Sequence, residues 1–295
     1  MEEKPWQTYG MPEPRSEASR GELSLVDYEI YSGITVPEGF FFVRLDGWKF
    51  HSVTRRLRLE KPYDEFFAAS MVRTGKELFI PFNPVLGYIF SDEINLLFKG
   101  SSIFERVEKI DSVLSGLAST AFYRCLGERH ERVPPIAFDC RAIPVGEKNV
   151  RAYLVWRQSE AFRDCYNAYA QHALIKEGLS PREAAGRLKG LKIHQLRRLM
   201  RDHGLDPNGM PDWHQRGILL YWEQYLKRGY NPIEKREVVA GRRRVAVEWG
   251  LARFDSEEGR QFLEKLCRTR FQNERLRRQE DQGVEDRRKE RRTAS

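Results

Sequence analysis

The chain has 295 residues, 40% hydrophobic and 32% charged, with 51 Lys+Arg against 43 Asp+Glu, a net charge of +8 and a pI near 9.3. That composition supports a sizeable core in one or two domains, and the basic balance favours a polyanionic partner over an acidic one. No apolar run approaches the roughly 18 residues of a membrane span, and the four widely spaced cysteines (Cys125, Cys140, Cys165, Cys267) form no CxxC pair, so we expect no membrane and a reducing, cytoplasmic setting with core thiols.

Residues 1–24 are polar and Pro-bearing and are expected to be a disordered leader. From there strand and helix signals alternate: a strand over 39–45, a helix near 62–78 with Pro62 in its first turn, a hairpin over 85–98, a helix over 103–125, a strand over 136–144 and a long helix over 149–177. After Gly178 the texture turns to short basic helices closed by Gly and Pro. Beyond Trp213 the pattern fits either amphipathic strands or one helix and a hairpin. A terminal helix follows Asp255, and a mixed-charge tail runs over 268–295. The expected class is α/β (α+β), with one domain over 25–147 and a second over 148–267.

Two apolar runs end on acids: "FFFVRLDG" on Asp46 and "LGYIFSDE" on Asp92 and Glu93. Carboxylates at adjacent strand ends can share hard divalent cations that in turn bind phosphate oxygens. Strict alternation puts Phe42, Arg44 and Asp46 on one face and Tyr88, Phe90 and Asp92 on one face, with Glu93 opposite. Asp92 is then the better ligand, and Glu93 is counted with Asp46 and Asp92 among the candidate catalytic acids. Acids after strands are common in α/β proteins, so this pair alone is a weak motif.

Further along, "VRLDGWKFH" (43–51), "EKPYDEFF" (60–67), "SDEINLLF" (91–98), "RVEKIDSVLSGLASTAF" (106–122), "FDCRA" (138–142) and "YLVWRQSE" (153–160) occur in the order and spacing of one family. The sequence resembles the tRNA-His guanylyltransferases, more closely their archaeal and bacterial relatives, over roughly residues 25–265. The resemblance implies a polymerase- and cyclase-like palm with an antiparallel sheet and packed helices, plus a C-terminal helical and β-hairpin subdomain. It also implies nucleotide addition in the 3′–5′ direction at tRNA 5′ ends: the 5′-phosphate is activated by ATP or GTP, and the 3′-hydroxyl of the next nucleotide attacks it.

Carried over residue by residue, the resemblance implies that Asp46, Gly47 and Asp92 hold two Mg²⁺ ions. Trp48, Lys49, Phe50, His51 and Ser91 would line the triphosphate, Lys61 and Asp64 would serve the activating nucleotide, and Arg106 and Lys109 would grip a triphosphate. Arg163 and Asn167 would meet the RNA 5′ end. Where the eukaryotic members carry His-Ile-Asn, this chain has Phe162, Arg163 and Asp164, which implies a wider tRNA range. The basic cluster Arg197, Arg198 and Arg201 suits contacts to RNA phosphates. A homotetramer is implied as well. The competing readings are a nucleotidyl cyclase on the same scaffold and a tRNA-binding protein without catalysis.

Overall fold

The computed structural model describes residues 33–36, 38–100, 104–231 and 235–266. The expected leader over 1–24, the tail over 268–295 and Cys267 lie outside them. The elements are β1 (Phe40–Gly47), α1 (Phe50–Arg56), α2 (Glu65–Phe82), β2 (Leu86–Phe90), β3 (Glu93–Lys99), α3 (Val107–Gly127), β4 (Phe138–Val145), α4 (Val150–Lys176), α5 (Pro181–Leu188), α6 (Ile193–Asp202), α7 (Asp212–Arg216), β5 (Ile218–Asn231) and β6 (Arg236–Glu248). A last helix, α8, spans 257–266.

All six strands form one sheet in the order β4-β1-β3-β2-β5-β6, and every neighbouring pair is antiparallel. Both faces of its centre are covered, which is why β1, β2 and β3 read as continuous apolar runs without alternation. On one face Phe41, Val43 and Leu45 pack with α1, α2 and α3; on the other Phe40 and Phe42 meet Tyr153 and Leu154 of α4 together with Leu251 and Phe254. A third cluster joins the second half of α4 to α5, α6 and Met210.

The sheet crosses the expected boundary at 147/148. Its strand β5 pairs with β2, Ile218 opposite Ile89 and Tyr221 opposite Leu86, so the C-terminal segment completes the first one's sheet. Only the basic excursion from α5 to α7 has the separate texture that the sequence shows. The open choice after Trp213 resolves to strands. The helix expected near 62–78 starts at Glu65, because Asp64 is its cap: its carboxylate accepts from the N–H of Phe67 (2.8 Å) and of Glu60 (2.9 Å). Pro62 precedes this turn, after a cis Lys61–Pro62 bond. Cys125 and Cys165 are buried free thiols and Cys140 is half-buried.

Candidate active site

The site forms where β1 and the β2–β3 hairpin end. Ser91 and Asp92 alone make the hairpin turn, with Phe90 paired to Glu93 and Ser91 in the left-handed region at φ 47°. The Gly47 N–H donates to the Asp92 carbonyl (3.1 Å), which locks the two strand ends together. Gly47 is required here by packing: a Cβ would lie 2.5 Å from the Phe50 ring.

Across the sheet, Asp46 stands between Asp139 of β4 and Glu93 of β3, so three carboxylates share one row. The flanking two have their own arginines. Arg141 reaches Asp139 at 2.5 Å, while Arg157 clamps Glu93 through Nε (2.8 Å) and an Nη (2.7 Å). Asp46 has no hydrogen-bond or ion-pair partner among the described residues. Burial, then Asp139, raises its pKa, against the pull of Arg44, Arg141 and Arg157. Asp92 is pushed up to about 6 by burial and then by Asp46. Two desolvated, mutually repelling carboxylates with no cation of their own are an oxygen donor set that a hard divalent ion would relieve.

Glu93 corrects the expectation from alternation. A two-residue turn places Phe90 and Glu93 opposite each other, so Glu93 shares the face of Phe90 and Asp46, and Asp92 belongs to the turn itself. Its carboxylate is already saturated: besides Arg157 it accepts from Asn95 Nδ2 (2.7 Å), whose Oδ1 accepts from the Tyr153 hydroxyl (2.7 Å). This buried network supports the row and leaves no free oxygen pair for a metal. Nothing in the sequence singled out Arg157, Asn95 or Tyr153, although a lone Asn inside "EINLLF" is the kind of polar residue that must find a partner.

Beside Asp92 lies a cavity of about 370 Å³, lined by Phe50, His51, Lys61, Asp64, Ser91, Asp92 and Asn167, seven of the expected residues. That volume lies at the lower end of the range for small-molecule sites. Lys61 reaches Thr54 Oγ1 at 3.2 Å, and burial lowers its pKa against the pull of Asp64 and Asp92. The Phe50 ring packs in the core on Phe122 and Phe138, and the Trp48 N–H is taken by the Ala137 carbonyl (2.9 Å), so the Trp48 N–H is not offered to a phosphate. The Trp48 ring is exposed, with Lys49 Nζ 4.4 Å from its centre.

Tyr63 and Trp213 also line the cavity, backed by aromatic partners that the sequence did not mark. Tyr63 stacks on His214 with ring centres 4.2 Å apart, and His214 Nδ1 meets the Tyr169 hydroxyl at 2.7 Å. Burial holds His214 down at about 4, so it is neutral. Only their assembly from three separate elements reveals them.

Arg106 and Lys109 are not brought to the site. Helix α3 runs so that Phe122 packs on Phe50 and Phe138 near Gly47, which places Arg106, sixteen residues earlier, roughly 24 Å away at the far end of the sheet. There Arg106 pairs with Glu108 (2.5 Å) and Lys109 lies over Phe104 (4.5 Å). Arg163 is exposed one turn before Asn167 on α4. On α6, Arg197 bonds Asn208 (2.6 Å), Arg198 sits 4.0 Å from Asp202, and Arg201 faces solvent.

The family model described as tRNAHis guanylyltransferase matches residues 25–146. The tRNA(His) guanylyltransferase of Eremothecium gossypii is 29% identical over 208 residues, 66% of this chain and 86% of that one. The probable tRNA(His) guanylyltransferase of Dictyostelium discoideum is 30% identical over 190 residues, 61% of this chain and 73% of that one. A bacterial tRNA(His) guanylyltransferase-like protein solved in complex with ATP superposes with a TM-score of 0.65 at 24% identity, over 82% of this chain and 96% of that one, which shows the shared fold. The GTP complex of such a protein gives 0.60 at 24% identity over the same shares.

Proposed function

The chain belongs to the tRNA(His) guanylyltransferase family, and from that premise we propose that it is a nucleotidyltransferase that extends the 5′ end of tRNA from a nucleoside triphosphate, with Asp46 and Asp92 at the reacting phosphates. The observation that carries this reading is the row Asp139–Asp46–Glu93, in which the flanking acids hold arginines and the central one is left for a cation. Asp46, Asp92 and the Gly47 carbonyl would hold two Mg²⁺ ions, a donor set of the kind Mg²⁺ uses when it keeps phosphates and waters as its other ligands. Bound there, magnesium supplies Lewis-acid polarisation of phosphoryl oxygens.

The chain's own groups do the rest. Lys61 offers a cation inside the cavity, and Asp64 fixes the loop that carries it by bonding both Glu60 and Phe67. Arg157 occupies both oxygens of Glu93, which would leave Asp46 as the metal-facing acid of the row. Asn167, a half-buried amide in the cavity wall, and Arg163 one turn back meet the RNA 5′ end, while Arg197, Arg198 and Arg201 hold phosphates of its body.

In this reading ATP or GTP activates the RNA 5′-phosphate with loss of pyrophosphate. The 3′-hydroxyl of the incoming nucleotide then displaces the activating nucleoside monophosphate. With Phe162, Arg163 and Asp164 in place of a His-Ile-Asn motif, the opposing acceptor strand selects the nucleotide, as in end repair. The protein works in the cytoplasm as a homo-oligomer, a tetramer by family likeness.

Incubating it with 5′-truncated tRNAs, Mg²⁺ and each triphosphate, then mapping products, tests this. Templated 5′ extension of several tRNAs is expected. Cyclic nucleotide, or RNA binding with no new product, would replace it with a competing reading.

A further inference from the structure

Past Tyr221, its last partner on β2, β5 continues for ten residues paired only with β6. At about 3.3 Å per residue this makes a two-stranded arm roughly 33 Å long, leaving the sheet at the end away from Asp46 and Asp92. Trp222 packs on Phe79 and donates to the Pro84 carbonyl (3.0 Å), and Arg243 donates to Asn83 (2.9 Å), which anchors the base of the arm, while β5 is exposed from Gln224 to Tyr230.

Its two faces differ. Tyr221 packs on the α4 side of the sheet, and counting by twos from it puts Glu223, Tyr225 and Lys227 on one face, opposite Arg244, Arg242 and Ala240, with Arg236 nearer the tip. Trp222 and Val245 pack on the other side, which assigns Leu226, Arg228, Tyr230, Val239 and Arg243 to the second face. Among the described residues the first face carries four cations against one carboxylate, Glu223, which holds Arg244 at 2.6 Å. Arg244 also lies 5.6 Å from the centre of the Tyr225 ring, itself 40% exposed and directly opposite Arg242.

We infer that this face, Tyr225 with Lys227, Arg236, Arg242 and Arg244, is a second RNA-docking surface, which grips phosphates of a folded RNA far from the reacting 5′ end. The inference rests on the activity proposed above. Closely set cations beside an exposed ring match a phosphate backbone with sugars or bases against it, and charge complementarity favours RNA over a protein partner. The distance sets the class of ligand. Ile218, where β5 enters, pairs with Ile89 beside the hairpin turn, so the last described pair of the arm, Asn231 with Arg236, lies roughly 40 Å from the site by strand rise. A nucleotide or a short oligomer cannot bridge that span, whereas a folded tRNA can.

The test compares a 5′-truncated full-length tRNA with a hairpin of its acceptor stem alone. Filter binding across a salt series is run on the wild type, on the variant Lys227→Ala/Arg242→Ala/Arg244→Ala, on Arg242→Ala and Arg242→Lys, and on Arg228→Ala, a charge-matched control on the opposite face. For full-length tRNA the triple variant should bind about tenfold more weakly, with the log–log salt slope reduced by roughly 0.7–0.9 for each phosphate no longer neutralised. Arg242→Lys should restore most of the loss seen in Arg242→Ala. Hairpin binding, nucleotide addition to the hairpin and the mass by light scattering should not change. An unchanged slope, an equal loss from Arg228→Ala, an equal loss on the hairpin, or a change in mass, which would make the face a protein interface, each overturns the inference. Normal arm-dependent binding with no nucleotide added by the wild type to either RNA would leave the arm standing and remove the proposed activity.

Discussion

The two ends of the central sheet are built on opposite electrostatic plans. At the hairpin end, Asp46 and Asp92 are desolvated side by side, their protons held more tightly than in water, next to a cavity with Lys61 in its wall. At the other end, Arg106, Lys109 and the arm place cations on open surface, where solvent screens them. Chemistry needs charges forced together in a low dielectric, whereas docking a polyanion needs them spread over an area. The separation means that loss of turnover and loss of RNA affinity should be separable by mutation.

The largest effect should come from the acidic end. Asp46→Asn should lower the rate of nucleotide addition by more than the roughly 10–100-fold typical of losing an outer-shell partner of a metal ligand, with tRNA affinity unchanged. Rates at saturating Mg²⁺, beside filter binding, check this. A loss of RNA binding matching the loss of rate would merge the two plans.

Next is the buried network. Removing one partner of a desolvated pair strands the other charge, so Arg157→Met should cost about 3–5 kcal/mol of stability. The double variant Arg157→Met/Glu93→Gln should recover much of that in urea unfolding. Additive losses would mean that the two groups act independently.

A smaller effect belongs to His214, packed against the cavity residues Tyr63 and Trp213. The pKa of His214 falls from 6.5 to about 4 on folding, so the folded state excludes a proton that the unfolded chain accepts. Its contribution to stability is present above 6.5 and is lost as pH falls toward 4. His214→Phe should flatten that part of the stability profile, and an unchanged slope would place its titration elsewhere. Smallest of all, Arg106→Ala with Lys109→Ala should leave the triphosphate KM within about twofold, because a screened surface cation roughly 24 Å away exerts little force. A larger KM rise would show that the far end reaches a nucleotide after all.

The sequence made one end far more legible than the other. Uniform apolar runs marked β1, β2 and β3, and the acids that end them stood out because buried strands seldom carry carboxylates. Glu93 was misplaced because alternation was carried through a turn that resets it, and only the pairing of Phe90 with Glu93 shows the true face. Arg106 and Lys109 seemed close to the hairpin because they follow it in the chain, yet the direction of α3 carries them away. Helix α1 went unseen: it buries only Phe50 and Val53, too few positions to show a period. Tyr63, Tyr169 and His214 cluster only after three distant segments meet, and no local pattern announces such a meeting.

The claim that the desolvated carboxylates of the hairpin end carry the chemistry is tested most directly by single-turnover addition of a nucleotide to a 5′-truncated tRNA by Asp92→Asn, with RNA binding measured in the same samples. The account predicts that addition is abolished while the dissociation constant for tRNA stays at the wild-type value. Addition at a near wild-type rate would contradict it.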